Sequence, residues 1–163
     1  YLNPVGNPVP DYKNYFRAFL DNLNRLPGQD LYFEPGRAVV GQCGSLISSV
    51  LFLKNSGSVK YAILDAGMNN FIRPALYNAH HKIQNLTGID KMHKYHIAGP
   101  VCESSDIFSK NVLLPEIKRG DLIVIRSAGA YGEVMASGYN LREPAHSVYS
   151  HDFAREIPKK VML

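Results

Sequence analysis

Cysteine is scarce in this chain: Cys43 and Cys102 are the two among 163 residues. They have no metal-ligand spacing, and one disulfide would be an unusual staple for a chain long enough to build a core, so a reducing, cytoplasmic compartment is expected. His80, His81, His93 and His96 bring no companion ligand at the spacing of a tetrahedral site, and no metal is expected. No apolar run approaches the ~20 residues that span a bilayer, which excludes a membrane helix. A basic stripe is lacking too. The 18 Lys and Arg stand against 14 Asp and Glu and are scattered, which argues against nucleic acid as a partner. The densest basic cluster, IPKKVML at the end, reads as a solvated tail. Repeats and low-complexity tracts are missing. The opening YLNPVGNPVP has no initiator Met and no signal-peptide pattern, so an internal piece of a longer protein is expected.

What is present is a globular composition, 45% hydrophobic and 20% charged, in a length that fits one domain or a small domain with part of another. DYKNYFRAFLDNLNRL places Tyr12, Tyr15, Phe16, Phe19, Leu20, Leu23 and Leu26 at helical spacing, with Asp11 as N-cap and Pro27-Gly28 as stop. LYFEPG reads as a short strand and RAVVGQCG as a brief helical segment, the rhythm of an α/β unit. From Ser45 the rhythm changes. SLISSVLFLK and VKYAILDAG are strand-like runs split by the turn NSGS, and YHIAGPV, DLIVIRSAG and AYGEVMASGYN follow, with KRGD as a turn. One helical insert is expected over MNNFIRPALYNAHHKIQNL, where Pro74 falls near the first turn. The shift near residue 44 gives a boundary: 1–44 as the tail of an α/β unit, 45–163 as a β domain.

Several short stretches could carry chemistry. FEPGR puts Glu34 at a strand end, an open backbone at Pro35-Gly36, and Arg37 at a helix start, a combination suited to an anion. A plain turn with Glu34 and Arg37 in solvent has the same spacing. RPALY sets Arg73 and Tyr77 at i and i+4 on one helix face, able to grip a carboxylate together; an exposed Arg over a partly buried Tyr fits equally. In GPVCESSD a thiol at Cys102 adjoins the Glu103 carboxylate, a proton donor beside an ammonium-binding group, although a free cysteine is by default a packing residue. AGAYG holds Tyr131 between small residues, the setting for close approach of a ligand or of another stretch of backbone.

Taken in order, EPGR, DAGMNNFIRPALY, GPVCES and GDLIVIRSAGAYG resemble the carboxyl-terminal half of the diaminopimelate decarboxylases, members of the fold-type III pyridoxal-phosphate decarboxylases. The resemblance runs from about Pro10 to about Asn140. It implies an α+β fragment: the last βα units of a β/α barrel over residues 1–44, then a mainly antiparallel β domain, a barrel or sandwich, with an inserted helix. It also implies a homodimer with active sites shared across the subunit interface, and pyridoxal 5'-phosphate as cofactor, an electron sink for decarboxylation.

By the same resemblance, Glu34 faces the cofactor's ring nitrogen, and Gly36, Arg37 and Tyr131 hold its phosphate. Arg37, Arg73 and Tyr77 meet the distal carboxylate of meso-diaminopimelate and Glu103 its distal ammonium, Tyr131 also contacts the substrate, and Cys102 returns a proton. Related ornithine and arginine decarboxylases, whose substrates lack a distal carboxylate, are expected to lack the Arg-Tyr pair and to follow the cysteine with Asp-Gly. The family's cofactor-anchoring lysine belongs early in the barrel, and a whole barrel takes about 250 residues, so the chain alone is expected to be inactive and to expose apolar surface at its barrel end. The alternatives are a related basic amino-acid or carboxynorspermidine-type decarboxylase, a free-standing β-domain protein, or a catalytically dead homologue that regulates an active partner. Such a regulator would have no chemical use for Cys102, Glu103 and Tyr131 together.

Overall fold

Strand β1, Ser45–Ser56, is the longest element and pairs on both edges, with β2, Val59–Leu64, on one side and β6, Leu122–Arg126, on the other. A computed structural model describes residues 11–153, so the YLNPVGNPVP start and the IPKKVML tail lie outside the described residues. With β3 (Ile83–Asn85), β4 (Met92–Ala98) and β5 (Ile107–Pro115) the strands form one six-stranded sheet in the order β3-β6-β1-β2-β4-β5. Its end strands, β3 and β5, approach each other, curling the sheet into a nearly closed, barrel-like form. The β domain is therefore mainly antiparallel, as expected from the sequence, with β2 against β4 as its parallel pair.

That parallel pair matters for the site. Parallel neighbours end at the same edge of a sheet, so the loop after β2, residues 65–72, and the loop after β4, residues 99–106, leave side by side. The sheet is closed on a core in which Val50, Leu64, Phe71, Ile97, Ile117, Ile123 and Ile125 are each all but removed from water. In β6 three consecutive residues, Ile123, Val124 and Ile125, are buried, so both faces of that strand are covered.

Three expectations are corrected and one strand is added. The helical insert shrinks to α3, Arg73–Tyr77, which Asn78 ends in a left-handed conformation, and Ile83–Asn85 extends along β6 instead. Asparagine tolerates that conformation, and Ile83 gains more from burial in the ladder than from a solvated helix. AYGEVMASGYN is a run of turns, because Tyr131 turns to positive φ beside Gly132. IFSKNVLLP forms β5, whose polar Ser-Lys-Asn centre breaks the alternation that marks a half-buried strand. LYFEPG forms no strand, since it has no ladder partner among the described residues.

Helix α1, Tyr12–Asn22, starts as expected: the Asp11 carboxylate accepts from Asn14 N at 3.1 Å. It stops at Asn22, short of Pro27-Gly28. Phe33 packs edge-on against Phe16 and Phe19, and Tyr12 Oη donates to the Ala38 carbonyl at 2.7 Å, which ties α1 to α2, Gly36–Val40. The rest of its apolar stripe, Tyr15, Leu20 and Leu23, stays exposed, and no α1 side chain is buried.

Candidate functional site

The stretch that follows α2, residues 41–44, is held against the loop after β6 by backbone hydrogen bonds. Ala128 N donates to Gly44 O at 2.9 Å and Gly129 N to Gly41 O at 3.1 Å. Such an approach leaves no room for a side chain: a Cβ on Gly44 would stand 2.7 Å from Gly129 Cα, and one on Gly129 would run into the Val40 carbonyl. Gly129→Ala in the full-length protein should therefore cost about 1–3 kcal/mol by overpacking, read as a lowered thermal or urea midpoint.

The contact brings together three expected site residues from opposite sides of the sheet sequence, Gly36 and Arg37 before β1 and Tyr131 after β6. The Arg37 guanidinium lies over the Tyr131 ring, 4.7 Å from its centroid, and a Cβ on Gly36 would be 3.4 Å from Tyr131 Oη. Tyr131 is no core tyrosine: it is half exposed and held at φ 61, a conformation that costs energy in a non-glycine residue and that collects at functional sites. Glu34 precedes this group and is exposed. The backbone at Gly36 is less open than the sequence suggests, because Gly36 N already donates to Glu34 O at 2.9 Å.

The pair in RPALY is inverted relative to a solvated helix face. Arg73 is the buried member at 5% exposure and Tyr77 the open one at 57%, with the guanidinium carbon 5.3 Å from the ring centroid. Sequence spacing could place the two on one face but could not say which of them is buried.

His81 is a residue that sequence reasoning treated as an ordinary histidine. It is 7% exposed and edge-on to Phe71 at 4.7 Å. Its Nδ1 lies 3.0 Å from the Arg126 carbonyl, which can only accept, so Nδ1 carries the proton. Burial pushes the imidazole below its ordinary value of 6.5; the bond to Arg126 opposes this, and the charges of Arg73 and Arg37 add to the lowering. Both arginine charges thus oppose protonation of the buried imidazole. Because the unfolded chain takes up a proton near 6.5 and the folded one resists it, His81 makes stability fall as pH drops below that value. His81→Asn keeps a donor for Arg126 and removes the titration. Urea midpoints of the full-length protein should fall less for this variant than for wild type between about pH 7 and 5.

Cys102 and Glu103 lie exposed in the 99–106 loop, so the thiol is not a packing residue. Glu103 Oε1 accepts from Ser104 N at 2.9 Å. Below them Asp106 is buried at 3% exposure and accepts from Met68 N and Val101 N, each at 2.7 Å. Burial pushes its carboxyl above the ordinary range, while the two N–H bonds and the Arg142 charge pull the other way. The Asp that closes GPVCESSD carried no signal in the sequence beyond its nearness to Cys102.

Residues 18–129 match the family model described as pyridoxal-dependent decarboxylase, C-terminal sheet domain. A diaminopimelate decarboxylase of Bacteroides thetaiotaomicron is 57% identical over 143 residues, 88% of this chain and 37% of that protein. The crystal structure of diaminopimelate decarboxylase from Helicobacter pylori complexed with L-lysine superposes with a TM-score of 0.69 at 45% identity, over 78% of this chain and 31% of that one. The corresponding structure from M. jannaschii, in co-complex with L-lysine, gives 0.70 at 36% identity over 81% and 30%. The chain therefore spans about a third of the length of the relatives it matches. A family match over most of the chain, relatives of this identity and a shared curled sheet lead to one conclusion: this chain belongs to the pyridoxal-dependent decarboxylases, as their carboxyl-terminal sheet domain.

Proposed function

We propose that this chain is the substrate-recognising part of a pyridoxal-phosphate-dependent decarboxylase that converts meso-2,6-diaminopimelate to L-lysine and carbon dioxide. The observation that carries the reading is two arginine–tyrosine pairs, Arg37 over Tyr131 and Arg73 beneath Tyr77, in a domain whose 99–106 loop offers an exposed thiol and carboxylate. A substrate with an amino-acid centre at each end needs cations for the far carboxylate and an anion for the far ammonium.

The residues present fit the cofactor. Tyr131 Oη beside Gly36, which has no side chain to block it, with a guanidinium stacked on the same ring, would cradle a phosphate, and Glu34 two residues earlier is exposed. When bound, pyridoxal phosphate supplies the electron sink that makes loss of carbon dioxide possible. Glu34 would hold a proton on its ring nitrogen, and Gly36, Arg37 and Tyr131 would hold its phosphate.

The remaining work falls to this chain's own side chains. Arg37, Arg73 and Tyr77 bind and orient the distal carboxylate, and Tyr131 contacts the substrate as well as the phosphate. Because Arg73 is almost wholly out of water, a carboxylate that reaches it is largely dehydrated, which strengthens the charge-assisted bonds. Glu103 takes the distal ammonium, and Cys102 Sγ, as a neutral thiol, delivers the proton to the carbon that has lost its carboxylate. Exposure of Cys102 and Glu103 at a loop tip supports a homodimer in which this loop completes the partner's site. The exposed stripe on α1 supports residues 11–44 as the end of the barrel that carries the cofactor.

The test compares two proteins given pyridoxal phosphate and meso-diaminopimelate. The full-length protein should release carbon dioxide and L-lysine in equal amounts, and the 163-residue chain neither. Turnover by the chain alone would refute the assignment of an essential lysine upstream, and no turnover by the full-length protein would refute the activity.

A further inference from the structure

Asp106 touches neither the proposed cofactor cradle nor the proposed carboxylate site, yet it links two loops that carry site residues. The loop after β2 runs through Met68 to Arg73, and the loop after β4 carries Cys102 and Glu103. Oδ1 of Asp106 accepts from Met68 N in the first loop, Oδ2 from Val101 N in the second, both at 2.7 Å. Its backbone closes the second loop on itself: Gly99 N donates to Asp106 O at 3.0 Å, and Asp106 N to Glu103 O at 3.1 Å.

The surroundings leave the carboxylate little freedom. A Cβ on Gly99 would overlap both carboxylate oxygens and stand 2.5 Å from Gly67 Cα, and one on Gly67 would lie 2.8 Å from Val101 Cγ2 and 3.1 Å from Asp106 Oδ2. Two glycines, one in each loop, thus let the backbones close on a single carboxylate. Ser105 Oγ against Met68 Sδ at 3.6 Å adds a second contact between the loops.

We infer that Asp106 is a positioning residue that fixes the Cys102–Glu103 loop relative to the Arg73 loop, by binding one backbone N–H of each. The inference rests on the decarboxylase reading, and it concerns how firmly the proton-donating loop is held on its own sheet domain, which sets where Cys102 and Glu103 stand in the site that the loop completes. A carboxylate is needed because each oxygen must accept; the amide of Asn has one oxygen and would set an NH2 against an N–H donor. Misplacement of about 1 Å can cost about 100-fold in rate, far more than the loss of a surface hydrogen bond.

The test uses full-length holoenzyme with Asp106→Asn. Its kcat for meso-diaminopimelate should fall about 10- to 100-fold, with cofactor absorbance and affinity within about twofold of wild type, because the cradle around Tyr131 is untouched. Gly99→Ala, which crowds the carboxylate and keeps its charge, should give the same split. A kcat within twofold of wild type, or a loss of activity that merely tracks loss of cofactor binding and of folded protein, would overturn the role. Two readouts need no turnover, so they separate this inference from the activity assignment. In a Cys43→Ser background, Asp106→Asn should change the labelling rate of Cys102 by a thiol reagent at least about fivefold, since the loop is no longer pinned. In wild-type protein, hydrogen exchange at Met68 N and Val101 N should be the slowest in their loops and equally slow. Exchange of either amide at the rate of its exposed neighbours would contradict the brace even where no variant folds.

Discussion

Arg73→Ala in the full-length protein is expected to raise KM for meso-diaminopimelate about 100- to 1,000-fold, the loss of two charge-assisted hydrogen bonds to one carboxylate. The variant also opens space in a well-packed place, because Arg73 is 95% removed from water, so some loss of stability will accompany it. Substrate choice separates the two effects. Amines that lack a distal carboxylate, such as L-ornithine, never use the bond, so their KM should stay within a few-fold while that for meso-diaminopimelate climbs. A lowered melting temperature with an unchanged ratio of the two would give Arg73 a structural role and leave the carboxylate without its main anchor. Arg73→Lys should recover only part of the affinity, since an ammonium cannot reproduce the forked geometry.

Cys102→Ala should lower kcat about 100- to 10,000-fold, the range for removing a positioned proton donor, with KM and cofactor binding nearly unchanged. The thiol is exposed, so its removal leaves no cavity and the folded protein should be as stable as wild type. The same variant tests the shared site. Mixed with a subunit whose cofactor-anchoring lysine has been replaced, Cys102→Ala subunits should regain up to about a quarter of wild-type activity, because half of the random dimers then contain one complete site. If mixing recovers nothing, Cys102 serves the cofactor of its own chain.

The sequence made the ends of the argument legible and hid the middle. Motif order was readable because chemistry fixes residue types, and the strands β1, β2, β4 and β6 because their apolar runs have one stable use, burial in a sheet. α3 and β3 were not. Nothing local in NAHHKIQNL says that Asn78 will turn left-handed and that Ile83 will pair with Ile125; that choice is made by β6, more than 30 residues later. β5 was hidden for the same reason, since its partner β4 supplies the order that its polar centre lacks.

For the site, Gly36, Arg37 and Tyr131 were named without the means to bring them together. The means is two glycines, Gly44 and Gly129, whose bare backbones touch. Arg73 was named for its spacing to Tyr77, but its burial is a tertiary fact. His81 and Asp106 escaped notice because each acts through a backbone group, the Arg126 carbonyl in one case and two amides in the other, and a sequence does not show where its backbone goes.

Substrate choice is where these observations meet in one number, the ratio of kcat/KM for meso-diaminopimelate to that for L-ornithine, measured on the full-length holoenzyme. A site built around Arg37, Arg73 and Glu103 for a second amino-acid centre should favour meso-diaminopimelate by about 1,000-fold or more, since a substrate without a distal carboxylate forgoes the charge-assisted bonds to the arginines. Turnover of L-ornithine within tenfold of meso-diaminopimelate would contradict the account.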